Sequence, residues 1–268
     1  MQVAALWRYP VKSMLGERVD GITVTERGLV GDRAYALIDE ETGKVVSAKN
    51  PRRWAALLAC RAEYVTTPKG GDDVPVRITL PDGSVVLSDD PDVDGILSRL
   101  LDRSVHLATK APDGAVLENY TLEEDAVSDS TVAMLAPGTF FDLAPLHVLT
   151  NATLARFAEL EPHPVFDVRR FRPNIVVDTD ETGFVENAWV GHTVTLGSLQ
   201  AQVVVPAPRC IMTTLAQDDL TRDNAILQAA AKHNRLDVPI VGPSPCVGVY
   251  AMVTAGGTVA VGDPVTVG

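Results

Sequence analysis

Hydrophobic and polar positions alternate along this chain in short stretches, and turns are frequent. Residues 2–9, QVAALWRY, suit a first strand. Pro10 limits it, because a proline gives the ladder no N–H. Lys12 and Ser13 then fall in a turn before Gly16, and 19–25, VDGITVT, resumes a strand pattern. The stretch 28–39, GLVGDRAYALID, predicts a glycine-punctuated turn into another strand. A polar turn at 39–43 leads into a short strand at 44–48. Short strands at such regular spacing predict a small antiparallel barrel or sandwich.

Asn50–Pro51 breaks the pattern, and 52–66 is expected to be a strand carrying Cys60. Residues 76–88, VRITLPDGSVVLS, predict a hairpin around Asp82–Gly83. Residues 89–103 open acidic and continue at helical spacing, which predicts a capped helix. VHLATK is a further strand, and 109–133 is expected to be a long connecting loop. Its acidic residues Glu123, Glu124 and Asp125 read as a solvated face, with a metal site as the alternative. A helix is predicted over 151–160, capped by Thr150 or Asn151. Arg169, Arg170 and Arg172 precede a strong strand in 166–178. Two strands flank Gly197 within 189–205, and 219–234 reads as a loop and then a helix. A last hairpin is expected from 247–254 and 258–267 through Gly256–Gly257. The class that follows is mainly β with short helices, an α+β chain.

Composition narrows the function. A formal charge of −12 argues against general affinity for nucleic acid or anionic membranes. The few basic residues are therefore informative where they gather. Cys60, Cys210 and Cys246 are too few and too widely spaced for a disulfide framework. No CxxC pair points to structural zinc or an iron–sulfur cluster. No signal peptide or spanning segment is read, so the expected compartment is the cytoplasm.

The stretch 203–215, VVVPAPRCIMTTL, carries the candidate chemistry. Cys210 follows Arg209 at a strand end, a setting suited to a thiolate nucleophile or metal ligand; the plain alternative is a buried small hydrophobe. Lys12–Ser13, Arg33, Arg172 within RFRPN, and Arg209–Cys210 all put a basic or hydroxyl residue in a turn beside a strand. In an acidic chain that set suits one phosphate-bearing ligand, since arginine offers forked donors and lysine a point charge. Separate surface salt bridges are the alternative. Thr150–Asn151 at a helix start adds a possible anion site.

These pieces resemble a known family. YPVKS at 9–13 and GLVGDR at 28–33 look like the N-terminal β-barrel domain that accompanies MOSC domains, the molybdenum cofactor sulfurase C-terminal family. PLHVLTNATL at 145–154, RRFRPNIVV at 169–177, PRCIMTT at 208–214 and VGDPV at 261–265 look like the MOSC domain itself. The resemblance implies an N-terminal β-barrel-like domain at 1–108 and a MOSC-type β-barrel at 109–268 that binds the molybdenum–pterin cofactor (molybdopterin). In the family's amidoxime-reducing branch the metal is held by a cysteine, the pterin dithiolene and oxo ligands. Cys210 matches that cysteine, which makes it both metal ligand and catalytic residue. Lys12, Ser13, Arg33 and Arg172 match residues around the pterin and its phosphate. Thr150, Asn151 and Ala152 match a helix start that lines the cofactor, and Pro208, Arg209 and Tyr250 match further cofactor neighbours. Two positions depart from that branch: Pro208 replaces a serine, and Cys246 an aromatic residue.

The implied activity is reduction of N-hydroxylated compounds (amidoximes, hydroxylamines, N-hydroxylated bases) by oxygen-atom transfer. With no cysteine-rich extension, electrons are expected from a separate flavin, haem or iron–sulfur donor protein. The alternative is a protein that carries the cofactor, or a persulfide sulfur on Cys210, without turnover of its own. A thiol enzyme using His147, His192 or His233 as base is a third reading. His233 and Asn234 either gate a pocket or cap a helix; both stay open.

Overall fold

The computed structural model describes the whole chain except residues 71–73, 112–116, 122–125, 131–139 and 240. The acidic trio Glu123, Glu124 and Asp125 lies outside the described residues. The fold is mainly β, as expected. Four short α-helices stand among the described residues, at Pro51–Trp54, Val93–Leu101, Asn151–Leu160 and Ala225–His233.

The largest sheet has nine strands. Its path runs Val265–Val267, Thr193–Leu196, Leu199–Pro208, Gly242–Ala255, Leu146–Thr150, Ile175–Asp178, Gln2–Arg8, Glu17–Val19, and Arg235–Val238 pairs off it with Gly242–Ala255. The first strand therefore sits beside Ile175–Asp178, with Leu6 opposite both Ile175 and Val19. Leu146–Thr150 and Ile175–Asp178 are parallel, and the helix Asn151–Leu160 lies in the crossover such a pair needs.

One apolar core lies against this sheet and draws on both ends of the chain: Val3, Leu6, Ile22 and Val24 pack with Val148, Val177, Val194, Val249 and Val259. A second core comes from the first 105 residues, around Met14, Leu37, Trp54, Leu57, Cys60, Ile78 and Leu97. The pairing Gly21–Thr25 with Gly257–Ala260 ties the chain's two ends together again.

Four expectations need correction. Residues 51–59 are helical, a turn of α-helix running into a 3₁₀ segment Ala55–Ala59; a strand forms only at Arg61–Tyr64. Pro51 opens that helix where a missing N–H costs nothing, and Trp54, Leu57 and Leu58 fall on one buried face at helical spacing. Within 44–48 a single bridge, Ile38 with Val45, replaces the predicted strand. The predicted loop 109–133 contains two antiparallel strands, Leu117–Thr121 and Ala126–Ser130. The last hairpin does not form. Gly242–Ala255 pairs with Leu199–Pro208 and Leu146–Thr150, while Gly257–Ala260 and Val265–Val267 join other strands. Gly256–Gly257 redirects the chain between sheets, which a period-2 pattern cannot distinguish from a hairpin turn.

Candidate functional site

Two prolines inside Leu199–Pro208 are tolerated because the strand bulges, with register shifts at Val203/Val205 and Pro206/Pro208. The strand ends at Pro208, and the next residue, Arg209, donates its N–H to the Pro245 carbonyl at 2.8 Å. Cys210 follows in extended backbone and is exposed, while Cys60 and Cys246 are fully buried. The chain then turns, with the Thr213 N–H and hydroxyl both donating to the Cys210 carbonyl, at 3.2 and 3.1 Å.

Three of the five non-glycine residues with positive φ among the described residues are predicted site residues: Ser13 at 67°, Arg33 at 45° and Arg172 at 53°. Left-handed backbone at such residues costs on the order of 1–3 kcal/mol each and persists where the surroundings enforce it. The surroundings here are polar and dense. The Lys12 ammonium donates to the Phe140 carbonyl at 2.9 Å and to Asp142 at 2.6 Å, and Lys49 reaches the other Asp142 oxygen at 3.1 Å. The Ser13 hydroxyl accepts from the Ala48 N–H at 3.0 Å, which ties this turn to the one carrying Lys49. Burial pushes the Lys12 ammonium down, against the pull of Asp142. Burial also works against Lys49 and Asp142. For each the opposite charges win, so Lys49 is held above its usual range and Asp142 well below the usual carboxylate range. Cys210 and Tyr250 contribute to the upward pull on Lys49, which places both within electrostatic reach of it.

Arg33 forms a tight pair with the fully buried Asp32. Asp32 also accepts from the Tyr9 N–H at 2.8 Å and from the Asn174 amide at 3.0 Å. Arg172 donates to the Met14 carbonyl at 2.7 Å. Burial, then repulsion from Arg33, lowers Arg172 to about 10. Arg209 reaches the Phe171 carbonyl at 2.7 Å and its field falls on Tyr9 and His147, so it belongs to the same cluster.

His147 is buried beneath this group. Its Nε2 lies 3.0 Å from the Val247 carbonyl, and its Nδ1 is turned toward Arg172 without a hydrogen bond of ordinary geometry. Burial, then the Arg209 charge, lowers it to about 3, so it is neutral and poorly placed to act as a base. Gly248, with φ 81°, makes this fit possible, since a Cβ there would lie 2.5 Å from the His147 Nε2. Tyr250 packs its ring 5.3 Å from that of His147. The other two candidate bases are engaged elsewhere: His192 with the Gly268 carbonyl and His233 with Glu161. Asn234 donates to the Cys246 carbonyl at 2.9 Å.

The structure thus brings Lys12, Ser13, Arg33, Arg172, Arg209 and Tyr250 into one cluster with Cys210 at its edge, and Pro208 leads into it. Thr150, Asn151 and Ala152 are used differently. Thr150 caps the helix by accepting from the Thr153 N–H and donates to the buried Glu186 at 2.6 Å. Asn151 bonds Asp178 and the Thr179 N–H, and Ala152 is buried. Sequence reading missed Tyr9, Asp32, Lys49 and Asp142. Tyr9 and Asp32 lie inside the YPVKS and GLVGDR motifs without being singled out there; Lys49 and Asp142 carry no local signal and meet only through the fold.

The cluster holds five cationic side chains, Lys12, Lys49, Arg33, Arg172 and Arg209, against two carboxylates, Asp32 and Asp142. Buried charge of one sign in excess calls for an anionic ligand. Among the described residues no group of three His, Cys, Asp or Glu side chains gathers to hold a metal. A metal at Cys210 would draw its other donors from a ligand.

Two family profiles match this chain: the MOSC N-terminal beta barrel domain over residues 1–92 and the MOSC domain over residues 137–266. Mitochondrial amidoxime reducing component 2 of Rattus norvegicus is 26% identical over 283 residues, covering 98% of this chain and 82% of its own length. Mitochondrial amidoxime-reducing component 1 of Homo sapiens is 25% identical, with the same coverage of 98% and 82%. The crystal structure of the YUAD protein from Bacillus subtilis superposes with a TM-score of 0.45 at 10% identity, covering 99% of this chain and 94% of that one. The two profiles span both halves of the chain and take in the YPVKS, GDR, RFRPN and PRC segments that build the cluster, and on that basis the chain belongs to the MOSC-domain proteins that carry the N-terminal MOSC β-barrel domain.

Proposed function

We propose that this protein is a molybdenum-cofactor-dependent reductase of N-hydroxylated compounds such as amidoximes. The observation that carries the reading is the excess of buried and half-buried positive charge beside one exposed cysteine. The relatives' names, amidoxime reducing components, supply the substrate class.

The residues present fit a phosphate-bearing pterin cofactor. Lys12, Arg33 and Arg172 would hold its phosphate, with Ser13 shaping the turn that presents Lys12. The Cys210 sulfur would ligate the metal, a role only the deprotonated thiol can fill. When bound, the cofactor supplies two-electron oxygen-atom chemistry. The protein's own part is orientation and charge. Lys49 and Arg209 keep the neighbourhood of Cys210 positive, which suits an anionic ligand there. Neutral His147 closes the floor of the cluster and leaves no competing charge. Exposure of Cys210 leaves room for a small substrate to approach it. Electrons would come from a separate flavin, haem or iron–sulfur donor protein.

The test is metal analysis and electron paramagnetic resonance on protein expressed in a host that makes the cofactor, beside Cys210→Ala. The expected result is near-stoichiometric molybdenum, a Mo(V) signal that requires Cys210, and amidoxime reduction with an artificial donor. A well-folded protein without molybdenum, despite ample supply, would sink the reading and turn attention to persulfide on Cys210.

A further inference from the structure

We propose that Tyr9 is the positioning residue of this anion site: its ring holds the Arg33 and Arg172 guanidiniums each at stacking range, so that both charges serve one anionic ligand. The inference rests on the reading of the cluster as an anion holder.

Tyr9 is 3% exposed and its ring meets both arginines, with guanidinium carbons 4.5 Å (Arg33) and 4.3 Å (Arg172) from the ring centroid. Its backbone is fastened to the same two turns. The Tyr9 N–H donates to Asp32, the Tyr9 carbonyl accepts from the Arg33 N–H at 2.7 Å, and the phenol donates to the Pro173 carbonyl at 3.2 Å. Gly16 seats the ring edge, since a Cβ there would lie 2.6 Å from Tyr9 Cδ1 and 2.2 Å from the Arg8 carbonyl oxygen.

The charges explain why a ring is needed. The two guanidiniums repel, and Asp32 pairs directly with Arg33 while reaching Arg172 only through its field. Arg172 has a neutral carbonyl as its hydrogen-bond acceptor, that of Met14. A buried cation so poorly compensated is costly, and the negative face of an aromatic ring is the partial counter-charge at hand. A ring also imposes distance, keeping each guanidinium at stacking range while its edge donors stay available. Both arginines sit in left-handed backbone, so the fold accepts strain at two positions to bring them to this ring.

The experiment separates the electronic role from simple filling of space. Cofactor-free full-length protein is titrated with inorganic phosphate at low salt by calorimetry. The series at position 9 is wild type, Tyr9→Phe, and Tyr9 replaced by mono-, di- and trifluorinated phenylalanine, which drain the ring face of negative charge at nearly constant shape. Tyr9→Leu removes the face altogether; if that variant does not fold, the fluorinated series still decides. The expected result is that Tyr9→Phe binds like wild type and affinity falls with each fluorine, to roughly tenfold weaker at three. A flat series in a protein that binds phosphate overturns the role of Tyr9 and leaves the anion site standing. Absence of phosphate binding in the wild type overturns both. A normal fluorine series in a protein that never takes up molybdenum sustains the clamp and overturns the cofactor reading alone.

Discussion

Cys60 and Cys210 sit in regions built to opposite specifications. Cys60 lies in the second core among Met14, Trp54, Leu57 and Leu97, where its thiol has one long contact, 3.7 Å to the Ala56 carbonyl. Burial pushes it up to about 12, so it stays a thiol at any physiological pH. Cys210 is exposed, follows Arg209 and lies within electrostatic reach of Lys49, at the edge of a cluster whose turns hold left-handed backbone. Around Cys60 the packed neighbours are buried and apolar. Around Cys210 strain, repulsion and unpartnered buried atoms such as Arg209 Nε and His147 Nδ1 accumulate. Local stability is forgone at one edge of the molecule, and the cores elsewhere bear the cost.

The contrast can be broken by chemistry. Iodoacetamide should label native protein at Cys210 alone, with Cys60 and Cys246 modified only after denaturation; native labelling at Cys60 would end the comparison. Next in size is Trp54→Ala, expected to lower stability by about 3–5 kcal/mol in urea unfolding while folded protein still binds phosphate. A loss under about 1 kcal/mol would mean that the second core is not close-packed.

The pH dependence follows from His147, at about 3 in the fold and about 6.5 unfolded. Between those values the unfolded chain binds the extra proton, so stability rises with pH through this window and is lost as pH falls from about 6.5 toward 3. The slope should reach about 1.4 kcal/mol per pH unit, and His147→Gln should flatten it. The smallest change is Arg172→Met, expected to stabilise the cofactor-free protein by about 1 kcal/mol while abolishing phosphate binding. A destabilised Arg172→Met would show that the arginine supports the fold as well as the ligand.

The same contrast explains what could be read in advance. The helix Val93–Leu101, though without the side-chain cap expected at its start, the hairpin around Gly197 and the cap at Thr150 are local, set by spacing and one or two residues, and were legible. The helical turn at 51–59 was not, because an apolar run after Pro51 reads equally as strand until Trp54 is seen to face a core. Lys12, Arg33, Arg172 and Arg209 were legible as basic residues at strand ends in an acidic chain. Lys49 and Asp142 were not, because their pairing across 93 positions exists only once the sheet has formed. Thr150 and Asn151 announced a helix start correctly, yet a helix start does not say which neighbours it serves.

The first strand has a further consequence, in the order of events during synthesis. Its sheet partner Ile175–Asp178 emerges long after it, and Val3 bonds Gly262 and Asp263 later still. At ribosomal speeds of about 5–20 residues per second, Val3 and Leu6 wait on the order of ten seconds or more for their places. Tyr9, Lys12 and Arg33 wait with them, while the core around Trp54 can close early from residues already made. Between synthesis of the Trp54 core and of Arg172 and Arg209, the nascent chain therefore carries a settled interior and an unfinished anion site.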